Sequence, residues 1–122
     1  MAYVDGFIVP VPKSKLDAYR RMSRKAGKVW REHGALEYKE CVADDAPKGK
    51  VTSFPQSVKL KRGETVVFSW ITYRSRAHRD SVNKKVMEDP RLADMMGPEN
   101  MKNMPFDAQR MIYGGFKVDV DI

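Results

Sequence analysis

The segment ETVVFSWITY, residues 64–73, constrains the fold of this chain more than any other stretch. Its β-branched and aromatic residues favour a β-strand. Both alternating sets of side chains are mainly apolar: Val66, Phe68 and Trp70 form one set, and Val67, Ser69 and Ile71 form the other. A sheet that contains this strand must therefore be covered on both of its faces.

Three more strands are predicted around this segment. YVDGFIVPV, residues 3–11, has the same strand-like composition, and ALEYKECVAD, residues 35–44, follows a His-Gly stop signal. RMIYGGFKVDVDI, residues 110–122, closes the chain as the last strand. Residues 45–64 contain two prolines, two glycines and four lysines, so we interpret them as a functional or interface-covering loop whose Phe54 needs apolar cover.

Two amphipathic helices are predicted between the strands. Ser14 is placed as the N-cap of the first helix, whose apolar or small positions are Leu16, Tyr19, Ser23, Ala26 and Trp30. Ser75 opens the second helix, and Pro90 ends or redirects it. Its buried stripe is predicted to be His78, Val82 and Val86.

The resulting β-α-β-β-α-β order predicts an α+β, ferredoxin-like sandwich with two helices on one face of an antiparallel sheet. A chain of 122 residues has the size of one domain, so we assign residues 1–122 to a single ferredoxin-like α+β barrel domain. The face without helices is too apolar to meet water. We therefore expect a homodimer in which two sheets pack face to face.

Composition indicates a soluble globular protein, since 42% of the residues are hydrophobic and 32% are charged. Neither a membrane span nor a disordered chain fits these values. The single cysteine, Cys41, allows no disulfide within the chain. The first residues, MAYVDGFIVPVPK, have no basic leader before the apolar run. We expect a cytoplasmic protein.

The net charge of +7 is concentrated in the first predicted helix. Eight basic residues lie between Lys13 and Arg31, and the acids Asp17 and Glu32 are their only close counterparts. A basic helix can bind RNA phosphates, or it can be a solvated helix face. We favour the solvated face, because no RNA-binding or zinc-finger signature accompanies the charge.

Small residues in the strands suggest close approaches. Gly6, Ser69 and Gly114 are assigned to one alternating set, where the helices would come close, and Gly115 to the other, where a partner sheet or a ligand would come close. The alternative is a β-bulge at Gly114-Gly115.

A polar set within the apolar strands is the first candidate site. Asp5 is expected to share a face with Tyr38, Glu40, Trp70 and Tyr113. A carboxylate desolvated beside aromatic rings has a raised pKa and can serve as a general acid or base, whereas the other four would bind substrate. The alternative for Asp5 is a structural hydrogen bond or an interface salt bridge, for which Arg110 and Lys117 are the named partners.

Other candidates are weaker. His78 is a possible catalytic base or a half-buried structural histidine, and Cys41 is expected to be a buried small hydrophobe. Arg79, with Arg74 and Arg76, could bind an anionic ligand or pair with acids such as Asp44, Asp45 or Asp107. A soft apolar flap is predicted from Met95, Met96, Met101 and Met104. We expect no metal site and no cofactor, because no ligand cluster or phosphate loop is present in the sequence.

Five motifs, YVDGF, GALEYKECVADD, KVTSFP, ETVVFSWITY and MPFDAQRMIYGGF, together resemble the YbaA-like family of uncharacterised bacterial proteins. The resemblance covers the whole chain and implies a dimeric α+β barrel of ferredoxin-like subunits. It implies no activity and no catalytic residue. By analogy with other proteins of this fold, we expect binding or transformation of a small organic molecule, as in cofactor-independent oxygenases and isomerases. The alternatives are a non-catalytic, stress-related interaction module and an RNA-associated protein.

Overall fold

The computed structural model of the chain describes residues 2–95 and 103–122, and its framework is a four-stranded antiparallel sheet. The strands are β1 (Tyr3–Pro12), β2 (Glu37–Val42), β3 (Glu64–Tyr73) and β4 (Ile112–Lys117). They are ordered β2-β3-β1-β4, so β1 and β3 are central and β2 and β4 form the edges. The predicted α+β, ferredoxin-like fold is therefore confirmed.

Four helices lie within the described residues: α1 (Leu16–Glu32), α2 (Phe54–Ser57), α3 (Arg76–Glu88) and α4 (Pro90–Met95). The prediction that Ser14 caps α1 was wrong, because a short 3-10 turn at residues 13–15 precedes the helix. Ser75 does cap α3, since its Oγ accepts a hydrogen bond from the backbone N–H of His78 at 3.0 Å. Such a cap stabilises a helix by about 1 kcal/mol. None of the helices in this part of the chain combines the length and apolar character that crossing a bilayer requires.

The long helices α1 and α3 pack on one face of the sheet, which we call the helix side. The strand residues buried there are Tyr3, Val9, Val11, Val67, Ile71 and Tyr73. Helix α1 covers them with Tyr19 and Val29, and α3 covers them with Val82 and Val86. This layer is the main hydrophobic core of the described chain.

The opposite face of the sheet, which we call the open face, carries Val4, Ile8, Phe68, Trp70, Ile112 and Phe116. Phe68 and Ile112 are each 42% exposed, and Phe116 is 64% exposed. Phe54, the first residue of α2, extends this surface, since its ring centroid lies 5.8 Å from that of Phe68. The open face is therefore a continuous apolar surface with a shallow cavity of about 700 Å³.

The sequence analysis assigned Gly6, Gly114 and Gly115 to the wrong faces of the sheet. Gly6 pairs with Gly114 and with Trp70, so both glycines lie on the open face, whereas Ser69 lies on the helix side opposite Glu40. Gly115 pairs with Asp5 on the helix side, where Tyr3 lies over it. The pairing runs one to one from residue 112 to residue 117, which excludes a β-bulge.

Arg110 ties the segment before β4 to the start of β3. Its Nη1 and Nη2 donate to the Glu64 carboxylate at 2.8 and 2.5 Å, and its Nε donates to Asp107 at 2.8 Å. Nη1 also donates to the backbone carbonyls of Val58 and Lys59. One guanidinium group therefore fixes three separate segments of the chain.

Candidate functional site

Asp5 lies on the helix side of β1, where only 10% of its side chain is exposed. Its Oδ1 accepts a hydrogen bond from Arg79 Nη1 of α3 at 2.8 Å. The Arg79 guanidinium also lies over the Tyr3 ring, 4.9 Å from its centroid. Burial raises the pKa of Asp5, and the positive charge of Arg79 opposes that rise. Two candidate residues, Asp5 and Arg79, thus form one ion pair.

Asn83 of α3 connects this ion pair to the core. Its Oδ1 accepts hydrogen bonds from Trp30 Nε1 at 3.1 Å and from the Tyr73 hydroxyl at 3.2 Å. The Asn83 side chain also lowers the pKa of Asp5, against the effect of burial. These contacts satisfy the buried polar groups and join α3 to the sheet. The Asp5 alternative of a structural contact fits this geometry, with Arg79 rather than Arg110 or Lys117 as its partner.

Glu40 lies on the helix side of β2 and is surrounded by hydroxyl groups. Its Oε2 accepts a hydrogen bond from the Tyr19 hydroxyl at 2.8 Å. Its Oε1 accepts from Ser23 Oγ at 2.6 Å and from the Tyr38 hydroxyl at 3.4 Å. Two of these donors come from α1 and one from β2. The fold therefore converges three hydroxyl groups on one carboxylate.

Burial raises the pKa of Glu40 above its ordinary value of 4.5, and the three hydroxyl donors offset part of that rise by stabilising the carboxylate. Burial and the negative charge of Glu40 also raise the pKa of Tyr19 and of Tyr38. Both phenols therefore remain protonated donors at neutral pH. A half-buried carboxyl whose pKa is shifted toward neutrality is suited to accept or release a proton.

A pocket of about 540 Å³ opens above this carboxylate, between α1 and β2, and we call it the Glu40 pocket. It is lined by Tyr19, Arg20, Ser23, Arg24, Gly27, Lys28, Arg31, Tyr38, Glu40, Val42 and Val67. Gly27 shapes its wall, because a Cβ at that position would lie 2.7 Å from Tyr38 Cδ1. The absence of a side chain at Gly27 lets the Tyr38 ring pack directly against the helix.

The rim of the Glu40 pocket is cationic. Arg20, Arg24, Lys28 and Arg31 follow one side of α1 at helical spacing. Arg20 pairs with Asp17 at 2.8 Å, and Arg31 donates to the backbone carbonyls of Ala35 and Leu36. Within residues 2–95 and 103–122, Arg24 and Lys28 form no ion pair. These two cations are available for a ligand.

The structure separates the candidate residues that were expected to share one face. Tyr38 and Glu40 line the Glu40 pocket, and Asp5 lies elsewhere on the helix side with Arg79. Tyr113 stacks on Phe7 at the β4 edge and is 74% exposed. The placement of Trp70 with this set was wrong, because its register opposite Gly6 puts it on the open face.

His78 and Cys41 have simpler surroundings. The Nδ1 atom of His78 accepts a hydrogen bond from the backbone N–H of Arg74 at 3.0 Å, which fits the structural alternative. Cys41 was expected to be buried, but it is exposed at the β2 edge, opposite Phe68. Of the predicted methionine flap, Met96 and Met101 lie outside the described residues.

The ion pairs of Arg79 differ from those that the sequence suggested. Arg79 pairs with Asp5 and Asp80, and not with the acids that the sequence suggested. In the described part of the chain, His, Cys, Asp and Glu side chains form no cluster of three or more that could hold a metal ion.

Sequence reasoning placed Tyr19 and Ser23 on the buried stripe of the first helix but did not connect them to Glu40. The signal was available, because a hydroxyl on a buried stripe needs a hydrogen-bond partner. Glu40 is that partner, but it was predicted only to share a face with Asp5, Tyr38, Trp70 and Tyr113, and not to meet the first helix. Recognising it required knowing which strand packs beside α1.

Comparisons with known proteins identify a family and relatives of this chain. The family model described as "Protein of unknown function (DUF1428)" matches residues 2–108. The chain is 51% identical over 121 residues to the uncharacterized protein YbaA of Escherichia coli strain K12, and the match covers 99% of each chain. The uncharacterized protein YbaA of Shigella flexneri matches with the same identity and coverage.

A solved structure supports the fold. The crystal structure of a dimeric ferredoxin-like protein from an uncultured marine organism is similar over 100% of both chains, with a TM-score of 0.60 and 11% sequence identity. At this identity the likeness concerns the fold alone. The family match and the YbaA relatives extend over nearly the whole sequence, and they confirm the resemblance found in its motifs. The chain therefore belongs to the DUF1428 family and is similar to the YbaA proteins over nearly its whole length.

Proposed function

We propose that this protein is a homodimer that binds a small organic molecule in the Glu40 pocket of each subunit. The observation that carries the proposal is the half-buried Glu40 carboxylate, held by three hydroxyl donors in a pocket of about 540 Å³. Desolvating a carboxylate opposes folding, so such groups are concentrated at binding and catalytic sites. Apolar walls with a few converging polar groups are also the usual composition of a small-molecule site.

The open face supports the homodimer. Phe68, Ile112 and Phe116 are large apolar side chains that water contacts in the isolated subunit. Burying a fully exposed side chain of this size contributes about 1.5–3 kcal/mol, so covering each of these partly exposed side chains contributes a fraction of that. A second copy offers a matching apolar surface. The solved ferredoxin-like neighbour is described as dimeric. Because the Glu40 pocket lies on the helix side, pairing of the open faces leaves it accessible.

The chemistry that the pocket could supply is proton transfer. Glu40 is the acid or base in this proposal, and the Tyr19 and Tyr38 hydroxyls orient its two oxygens. A cofactor-independent isomerisation or oxygenation of the bound molecule would use such a group. A non-catalytic binding module would hold the same ligand and release it unchanged.

A ligand screen followed by thermal unfolding tests the proposal. The wild-type protein should be stabilised by at least one small organic compound, and Glu40→Gln should lose that stabilisation. Glu88→Gln is the matched control, because Glu88 is exposed on α3 and outside the pocket. Compounds that stabilise wild type and Glu40→Gln equally would place binding elsewhere and contradict the proposal, as would a screen without any binder.

Incubation of each hit with the wild-type protein then separates the two forms of the function. Conversion of the compound that Glu40→Gln abolishes would identify an enzyme. Quantitative recovery of the unchanged compound would identify a binding module. Sedimentation of the wild-type protein at micromolar concentration tests the assembly, and a monomer there would refute the homodimer.

A further inference from the structure

We propose that the ligand of the Glu40 pocket is a small organic anion that carries a hydrogen-bond donor at the opposite end of an apolar body. Arg24 and Lys28 would bind the anionic group, and Glu40 would accept the hydrogen bond. This inference rests on the proposed function, because it specifies the ligand class of the same pocket.

The charge of the pocket selects an anion. Four of its lining residues are cationic and one is acidic, so four minus one leaves a net charge of +3 when Glu40 is ionised. Arg20 is engaged by Asp17, and Arg31 by backbone carbonyls. Arg24 and Lys28 lie one helical turn apart on the exposed rim, where both can reach a single carboxylate, sulfate or phosphate group.

The walls select an apolar body. Between the cationic rim and Glu40, the pocket surface comes from the rings of Tyr19 and Tyr38 and from the aliphatic side chains of Val42 and Val67. Gly27 adds a flat stretch of helix surface beside the Tyr38 ring. A planar or aliphatic group fits against such walls without leaving polar atoms unpaired.

Glu40 can accept a further hydrogen bond, which favours a ligand that carries a hydrogen-bond donor. An ionised carboxylate offers about four acceptor positions. The Tyr19 and Ser23 hydroxyls occupy two of them, and the Tyr38 hydroxyl lies 3.4 Å from Oε1 but closer to Ser23 Oγ, at 3.1 Å. At least one position therefore remains for a hydroxyl or amino group of the ligand. A ligand without that donor would desolvate the carboxylate with no compensating bond, so it would bind more weakly.

The volume of the pocket favours a small ligand over a macromolecule. A volume of about 540 Å³ lies within the range of small-molecule sites. The same basic helix could attract RNA, but RNA recognition would also use cations outside the pocket, such as Arg21 and Lys25. Charge reversal inside and outside the pocket therefore distinguishes the two ligand classes.

Calorimetric titration with four probes of similar shape tests the inference. The probes are 4-hydroxyphenylacetate, which has the anion and the donor, phenylacetate, which lacks the donor, para-cresol, which lacks the anion, and tyramine, which replaces the anion with a cation. We expect 4-hydroxyphenylacetate to bind tightest and tyramine weakest. Arg24→Glu and Lys28→Glu should each raise the Kd of 4-hydroxyphenylacetate about tenfold or more, and Lys25→Glu should leave it unchanged.

The Glu40→Gln variant tests the donor separately. It should remove the preference for 4-hydroxyphenylacetate over phenylacetate, because the amide no longer provides a charged acceptor. The contrary result is that para-cresol binds as tightly as 4-hydroxyphenylacetate, with a Kd that Glu40→Gln raises and Arg24→Glu does not change. That result would contradict an anionic ligand and would leave the proposed function unaffected. Absence of binding by all four probes would overturn this inference, and only a failed wider screen would also remove the proposed function.

A short uridine oligonucleotide provides the macromolecular comparison. We expect it not to displace 4-hydroxyphenylacetate from the wild-type protein. Displacement that Lys25→Glu and Arg24→Glu weaken to the same extent would show that α1 binds RNA along its surface. That outcome would overturn the inference of a small organic anion.

Discussion

The Tyr3 hydroxyl lies directly over Gly115 on the helix side of the sheet. A Cβ at position 115 would lie 2.8 Å from Tyr3 Cε2 and 2.9 Å from Tyr3 Cζ, and closer still to the hydroxyl oxygen. The Arg79 guanidinium stacks on the face of the same Tyr3 ring. Gly115 therefore leaves the space in which the aromatic ring, the arginine and Asp5 fit together.

We expect Gly115→Ala to destabilise the subunit by about 1–3 kcal/mol, because the new methyl group overpacks this site. Gly114→Ala is the matched control. A Cβ at position 114 meets only the Phe116 ring, at an ordinary distance of 3.5 Å. Urea denaturation of both variants measures the difference, and equal losses of stability at the two adjacent positions would contradict the packing described for Tyr3.

The faces of β3 and β4 illustrate how far the sequence predicts the fold. The chain order of the strands and of the two long helices and the bounds of β3 follow from composition, helix signals and hydrophobic periodicity, and they agree with the structure. The short helix α2 was not predicted, because it lies in the segment that was interpreted as a loop. A period of two cannot say which alternating set meets the helices when both sets are apolar. Only the register opposite Gly6 puts Trp70 on the open face, and only the pairing with Asp5 puts Gly115 on the helix side.

The Asp5–Arg79 ion pair should be more costly to break than to replace. Arg79→Met leaves a largely buried carboxylate without its cation and should destabilise the protein by about 3 kcal/mol. Adding Asp5→Asn removes the unpaired charge, so the double variant should recover part of that loss. The two single variants and the double variant form a denaturation cycle, in which strict additivity would show that the contact contributes no coupling energy.

Arg110→Ala should lower the free energy of unfolding by about 2–3 kcal/mol, because the Glu64 carboxylate and two backbone carbonyls lose a charged donor. Arg110→Lys is informative as a second variant, since an ammonium group has about three donors without a planar arrangement and cannot reproduce all the hydrogen bonds that Arg110 donates. It should recover only part of the stability. Full recovery in thermal denaturation would show that charge alone, and not the planar guanidinium, holds the three segments.

The candidate site was only partly predictable. Tyr38 and Glu40 were visible as polar residues in an apolar strand pattern, and they do line the pocket. The contributions of Tyr19 and Ser23 depend on the packing of α1 beside β2, which local periodicity does not encode. Gly27 has no pattern of its own in the helix. Its role becomes evident only when the Tyr38 ring is seen against it.

The raised pKa of Glu40 predicts a specific pH dependence of stability. Between the ordinary value of 4.5 and the higher folded-state pKa, the folded protein holds a proton that the unfolded chain has lost. Unfolding within this window therefore releases that proton, and higher pH favours the release, so the contribution of Glu40 to stability falls as pH rises through the window. Glu40→Gln should abolish that part of the dependence.

The measurement is urea denaturation of wild type and Glu40→Gln at a series of pH values from 4 upward. The stability of wild type relative to the variant should decline as pH rises and then become constant above the folded-state pKa. Glu88→Gln, at an exposed position of α3, controls for loss of one carboxyl group. A relative stability that increases with pH would mean that the hydroxyl donors outweigh burial at Glu40.

Trp70→Asp should convert the proposed dimer to folded monomers. Trp70 lies near the centre of the open face opposite Gly6, where a second sheet would desolvate the new carboxylate. Since water covers this face in a monomer, circular dichroism should show a folded chain while sedimentation shows half the mass. Phe116→Asp, at a side chain that is 64% exposed in the subunit, provides a second variant if Trp70 also supports the subunit fold. Lys25→Asp on α1 controls for the change in charge, and unchanged dimers in both open-face variants would place the interface on another surface.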